Sequence, residues 1–272
     1  MLESQHHHYQ SSSNSNNNSS TALFQPLHHR SGTMRDRLHS LTKSTLGAGG
    51  SIHQAVALPK GESCAGWVAA HTVDFFNDLS LIWQVVASDP YLSSFKPGEG
   101  YPSGVEYRWS STTTTSATTT ACTTIRVSAP QYVNLVLQWI SDQLNDRTLF
   151  PDDAHDEQVV YATPAFAALC GQIFRRLFRV YGILYTSFFG TMDALDMAPH
   201  LNTCFKHFMY FCVEFGLLPE REVEPLAILV QPVRKQYYAL AGIGNGGNGY
   251  NTSKRSNNST RSRCPTTQQS VR

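Results

Sequence analysis

CGQIFRRLFRVYGILYTSFF, Cys170 to Phe189, decides the fold. At 3.6 residues per turn, Ile173, Leu177, Val180 and Leu184 form one apolar stripe, and Phe174, Phe178, Tyr181 and Tyr185 form another. A helix that is apolar on more than one face is a buried helix. Into it the chain places Arg175, Arg176 and Arg179, which fall within a sector of about 100°. Three guanidiniums converging on a buried helix make a poor core and a good anion site. The plainer alternative pairs each one with a carboxylate of the same fold, because structural ion pairs outnumber phosphate sites. Spacing alone leaves both open.

Outward from this segment the helical pattern continues. Thr163-Pro164 opens the central helix, and Gly190 marks its expected end. Glu62 to Ala87 carries Val68, Thr72, Phe75, Leu79, Ile82 and Val86 at helical spacing, with Pro90 behind it. Ser128-Ala129-Pro130 reads as the start of another helix, with Tyr132, Leu135, Val136 and Trp139 turned inward as far as Leu144. His200 to Phe215 is the next, closed by Gly216, and Pro219 opens a last one through about Val230. Long helices with wide apolar faces predict a mainly α fold built on a four-helix bundle. Residues 110–124 are Thr-rich and lie between VEYRW and TIRV. They read as a long flexible loop closing two short strands, a small β-hairpin. Residues 1–35 and 241–272 are polar and low in complexity, so both read as disordered tails around a domain at 36–240.

Composition excludes several classes of function. Charged residues make up 15% of the chain and the net charge is +1, so no strong field points to nucleic acid or to a membrane surface. The N-terminus has no signal-peptide apolar run, and no stretch of about 18 apolar residues predicts a membrane span. Six cysteines without a CxxC pair fit reduced thiols in a cytoplasmic or nuclear protein. No nucleotide loop, nucleophile elbow or zinc-hydrolase helix is present. Gly244, Gly246 and Gly249 match GxGxxG without the strand and helix that dinucleotide binding needs. His6–His8 is a weak metal-binding tract at most. A non-enzymatic protein without cofactor is therefore expected.

A second surface is readable on the first long helix. Trp67, His71, Asp74 and Asp78 share one face at i, i+4, i+7 and i+11, away from the apolar set. A solvent-facing Trp flanked by acids suits a basic partner helix. The alternative is that Trp67 caps the core and the acids are merely solvated. A surface His71 would titrate near neutral pH.

Several long words resemble the Mob family of kinase adaptors. They are ALPKGESCAGWVAAHTVDFFNDLSLIW (Ala57–Trp83), VEYRW (Val105–Trp109), SAPQYVNLVLQWISDQLNDRTLFP (Ser128–Pro151), FRRLFRVYGILY (Phe174–Tyr185) and HLNTCFKHFMYFCVEFGLL (His200–Leu218). The resemblance runs in order from about Thr45 to about Leu229 and is closer to the class partnering NDR/LATS kinases than to phocein. It implies a helical core with a small hairpin and a role in Hippo/NDR-type signalling. It also implies that Arg175, Arg176 and Arg179 bind phosphothreonine peptides from upstream Ste20-type kinases or scaffolds. By the same resemblance Glu62, Trp67, His71 and Asp74 belong to the face that meets the kinase. Lys60 and Gly66 stand where relatives carry acids, which implies weaker attraction to a basic helix or a different partner. Thr45 matches a threonine phosphorylated in relatives, at the edge of the arm before the first helix; its plainer role is a turn or cap residue. The alternative function is a phocein-like scaffold subunit of a striatin-type phosphatase–kinase assembly. Relatives hold a structural zinc at positions that here are Pro90, Phe95, Ile183 and Phe188, none of which ligates zinc. The expectation is an apolar junction without metal.

Overall fold

The computed structural model describes residues 25–242 apart from Ala48 and 116–118. In chain order the helices are α1 (Met34–Gly47), α2 (Ile52–Val56) and α3 (Cys64–Ala87), then a hairpin of β1 (Arg108–Thr115) and β2 (Thr119–Arg126). They continue with α4 (Ala129–Asn145), α5 (Ala154–Tyr161), α6 (Pro164–Ile183), α7 (Phe189–Ala194), α8 (Ala198–Phe215), α9 (Glu220–Val223) and α10 (Ala227–Leu240). The bundle is α3, α4, α6 and α8, each near its expected place.

Local signals set these ends. Ser63 caps α3 by accepting from the Gly66 amide. Ser128 and Gln131 cap α4 reciprocally, satisfying two amides that the helix leaves unpaired. Thr163 caps α6 and Pro164 opens it, where a missing N–H costs nothing. Gly216 closes α8 at φ 64°, a left-handed conformation that favours glycine. The helices then meet through aromatic rings. Phe75 of α3 lies 5.9 Å from Phe174 of α6 and 5.4 Å from both Phe208 and Phe211 of α8. Each such buried ring contributes about 1.5–3 kcal/mol.

Four expectations about the course of the chain need correction. The central helix does not end near Gly190: it passes through a π turn at Leu184–Phe188 and runs on as α7. The π turn widens the helix by one residue per turn, and Phe188 within it is 1% exposed. The Thr-rich segment is not a long loop. The strands run through it in register from Arg108 opposite Arg126 to Thr115 opposite Thr119, because β-branched threonine suits a pleated strand. The last helix does not stop near Val230; α10 reaches Leu240 because Val230 and Tyr237 bury themselves on one side.

The fourth correction concerns the arm. Residues 25–33 are held rather than disordered: the Leu27 amide donates to Asn77 Oδ1 at 2.8 Å, and Asn77 Nδ2 donates back to the Leu27 carbonyl. The next residues form α1, anchored on the fully buried Glu157 of α5. That carboxylate accepts from the Met34 amide (2.6 Å), Arg35 Nε (2.8 Å) and the Tyr161 hydroxyl (3.1 Å). The tract His6–His8, the glycines 244, 246 and 249, and the tail from 243 lie outside the described residues. Cys170, Cys204 and Cys212 are free and buried. Cys64 is disulfide-bonded, against the expectation of reduced thiols throughout. No helix among the described residues is long and apolar enough to cross a membrane.

Candidate functional site

Arg175, Arg176 and Arg179 leave α6 on the side that faces α4, the root of the hairpin and α9. Arg176 is held between two indoles, its guanidinium carbon 3.9 Å from the ring centre of Trp139 on α4 and 4.7 Å from that of Trp109 on β1. Its Nη1 is buried and has no hydrogen-bond partner among the described residues. Stacking of this kind fixes the plane of a guanidinium without consuming its charge. Arg179 behaves differently. It is bidentate to Glu222 of α9, at 2.9 Å from Nη2 and 3.1 Å from Nε, and it lies 5.0 Å from the centre of the Tyr107 ring.

The electrostatics follow from that division. Burial lowers both Arg175 and Arg176 below the ordinary arginine value. Burial also pulls on Arg179, but Tyr132 and Glu222 outweigh it and hold that group above its ordinary value. The plainer alternative of carboxylate pairing therefore describes Arg179. Arg175 and Arg176 form no salt bridge among the described residues. Glu222 acts on Arg175 only at a distance, so neither guanidinium is taken up by a carboxylate contact among the described residues, which favours an incoming anion. Tyr107, Trp109, Trp139 and Glu222 complete this site. The three aromatic residues occur inside the long sequence words and Glu222 lies just beyond them, but no spacing rule links any of the four to α6.

The exposed stripe expected on α3 is not exposed. Trp67 is 1% exposed and donates its indole N–H to the Val56 carbonyl at 3.1 Å. His71 is fully buried, stacked on Phe211 at 4.2 Å, and burial pushes its imidazole down to about 3. The expectation of neutral-pH titration therefore fails. Val56 of α2 and Phe211 of α8 cover these two side chains, and α1 with the residues before it lies over the acids beside them. Arg37 of α1 makes a bidentate pair with Glu62, with Nη2 at 2.7 Å from Oε2. His29 Nε2 and His39 Nδ1 each reach Asp74 Oδ1 at 2.7 Å. Burial alone would raise the Asp74 carboxyl, but its two histidine contacts hold it well below the usual carboxylate range. Burial pushes the neighbouring Asp78 up to about 7. Met34 packs on the backbone of Gly66, where an added Cβ would lie 2.4 Å from its sulfur.

Thr45 is inside the last turn of α1 rather than ahead of the first helix. Its hydroxyl donates to the Leu41 carbonyl at 3.0 Å, and its own carbonyl accepts from the Gly50 amide at 2.9 Å.

Three of the four positions at which the resemblance implies zinc pack as hydrocarbon. Phe95 lies 5.6 Å from Phe188, and Phe188 lies 5.6 Å from Trp83. Ile183 is fully buried, whereas Pro90 stays exposed at the start of a 3₁₀ turn, Pro90–Ser94. Polar ties flank the rings: Ser187 Oγ donates to the Gly100 carbonyl at 2.8 Å and Thr191 Oγ1 to Asp89 Oδ2 at 3.1 Å. Phenyl, alkyl and proline side chains offer no lone pair to a metal, so these residues do not fit a zinc site.

The sequence that carries the helical bundle, its hairpin and the arginine-bearing central helix matches a known family. Residues 43–226 match the Mob1/phocein family. The chain is 36% identical over 200 residues to "Maintenance of ploidy protein mob1" of Schizosaccharomyces pombe, covering 74% of this chain and 90% of that protein. It is 37% identical over 206 residues to "MOB kinase activator-like 1 homolog B" of Dictyostelium discoideum, covering 75% and 89%. Human "MOB kinase activator 3A" is 37% identical over 198 residues, covering 72% and 85%. The chain belongs to the Mob1/phocein family.

Proposed function

We propose that this protein is a non-catalytic adaptor that activates a kinase of the NDR/LATS class and docks phosphothreonine peptides of an upstream Ste20-type kinase or scaffold. The names of its relatives support the kinase-activator part. One observation supports the phosphate part: Arg176 is clamped between Trp109 and Trp139 with an unpartnered Nη1, beside an Arg175 that forms no salt bridge among the described residues. Each charge-assisted contact to a phosphate is worth roughly 1.5–3 kcal/mol. On α3 and just before it, Asp74 and Glu62 are the acids available to a basic kinase segment, and both are engaged by α1 and the residues before it. Kinase docking there requires α1 to give way, while Trp67 and His71 support the face from beneath. A phosphate on Thr45 would add about −1.5 to −2 charge at the C-terminal, negative end of α1 and weaken that helix.

Fluorescence anisotropy with a phosphothreonine peptide and its unphosphorylated twin tests the phosphate site. Arg175→Ala with Arg176→Ala should lower affinity for the phosphorylated form by about 150-fold or more, two contacts' worth. Equal affinity of the unaltered protein for both peptides would overturn the reading. Affinity purification separates the kinase partner from the scaffold alternative: an NDR/LATS-class kinase supports it, and striatin with phosphatase subunits overturns it.

A further inference from the structure

We propose that His29, His39 and Asp74 form a binding site for a divalent transition metal, zinc by chemistry, that ties the N-terminal segment to α3. His29 precedes α1, His39 belongs to α1 and Asp74 to α3, so three separate parts of the fold converge here. The three candidate ligand atoms lie within 4.8 Å of one another. Both imidazoles approach the same oxygen, Asp74 Oδ1, at 2.7 Å, and their rings stack at 4.4 Å. The two approaches are not equivalent. His29 Nε2 makes a hydrogen bond. His39 Nδ1 is as close, yet it is a buried nitrogen without a geometrically formed hydrogen bond among the described residues. One carboxylate oxygen is a crowded acceptor for two imidazoles. It is an ordinary third ligand for an ion that both imidazoles bind.

The donor set selects the ion. Two imidazole nitrogens and one carboxylate oxygen suit zinc, cobalt or nickel, whereas calcium and magnesium prefer oxygen alone. Metal–ligand distances near 2.0–2.2 Å put neighbouring ligand atoms about 3.4 Å apart in a tetrahedron. The two 2.7 Å contacts would therefore lengthen by roughly 0.7 Å, with the three side chains staying in one cluster. Side-chain exposures of 5%, 26% and 13% for His29, His39 and Asp74 leave the site sheltered, with its opening on the His39 side. Three protein ligands leave the fourth position to water. Ligating histidines usually donate their other N–H, and those bonds are worth 10–100-fold in affinity. His29 Nδ1 has no such partner among the described residues, which sets this site below a closed structural zinc. The cluster is separate from the aromatic junction at Phe95 and Phe188, and it stands whether or not the kinase reading is right.

The test uses the full chain with His6→Ser, His7→Ser and His8→Ser, because that tract would itself take up metal. Titration of the metal-free protein with Co²⁺ alone should give visible ligand-field absorption saturating at one ion per chain, displaced by Zn²⁺. His29→Ala, His39→Ala and Asp74→Asn should each weaken binding by about 10-fold or more. Near-UV circular dichroism identifies any variant that fails to fold. For that case a second measurement serves: Zn²⁺ should raise the melting temperature of the parent but not of His39→Ala, the most exposed ligand. Absence of Co²⁺ absorption in the folded parent, or a spectrum unchanged in both histidine variants, would overturn the proposal.

Discussion

Phe188→Ala tests how the fold holds together where its relatives' zinc is implied. The ring is 1% exposed and sits against Trp83 on α3 and Phe95 in the segment after it, at 5.6 Å each. Truncating a buried phenylalanine costs about 3–5 kcal/mol, the spread reflecting how far neighbours collapse into the space. Phe95 is only half-buried and can follow the lost ring, so the lower part of that range, about 3–4 kcal/mol, is expected. For a domain of this size each kcal/mol moves the melting temperature by about 2–4 °C, giving a drop of roughly 6–16 °C. Urea denaturation followed by far-UV circular dichroism reads the free energy, and a thermal scan reads the temperature. Phe188→Leu, which keeps most of the volume, should lose far less. Added zinc or chelator should leave the difference between Phe188→Ala and the parent unchanged, since this junction offers no ligand to a metal. A Phe188→Ala protein within about 1 kcal/mol of the parent would refute the account of a packed aromatic junction.

Two further outcomes follow from buried charge. His207 is half-buried beside Phe75 at 4.9 Å with its Nε2 shut away from water, and burial pushes its imidazole down to about 4. Its folded value lies below the unfolded value near 6.5, so its stabilisation is complete above about pH 6.5 and is lost as pH falls towards 4, at about 1.4 kcal/mol per pH unit. Asp78, raised to about 7, acts in the opposite direction, so the comparison must be with His207→Gln. Relative to that variant, urea denaturation should show the parent losing ground steadily from pH 6.5 to 4.5; parallel curves would sink the assignment. Glu222→Gln removes the carboxylate that occupies Arg179 and should strengthen phosphopeptide binding by several-fold to about tenfold, at a stability cost of about 1 kcal/mol or less because the pair is partly exposed. Unchanged affinity would mean that Arg179 takes no part in the site.

What the sequence made legible was what short-range chemistry decides. The starts of α4 and α6 follow from Ser128, Thr163 and two prolines, and the end of α8 from Gly216. The convergence of Arg175, Arg176 and Arg179 also follows from spacing along one helix. What went unread depends on partners far along the chain. The inner side of α1 presents Arg35, Leu38 and Thr42, a mixed stripe that no apolar periodicity marks. It is anchored by Glu157, 122 residues away from Arg35. The same distance hid the burial of Trp67 and His71: Trp67 is tied to Val56 of α2, and His71 stacks on Phe211 of α8, 140 residues on. The π turn likewise exists where Phe188 must enter the core, a tertiary demand without a local signature.

Gly66 links these points and yields the last expectation. The resemblance implies an acid at this position, and an acid on the docking face would help attract a basic partner. In this chain the missing side chain is what lets α1 close, since a Cβ would lie 2.4 Å from Met34 Sδ and 3.4 Å from Leu38 Cδ1. Gly66→Glu would therefore act twice. It would push Met34 off α3, an overpacking cost of about 1–3 kcal/mol borne by α1 alone. It would also return a negative charge near Glu62 and Asp74. Hydrogen exchange should show residues 34–47 losing protection by one to two orders of magnitude while α6 and α8 keep theirs. A basic peptide from a kinase N-terminal region should bind the variant more tightly than the parent. If α1 keeps its protection, Gly66 does not control its closure. If α1 opens and the basic peptide binds no better, the acids beneath it are not a docking face.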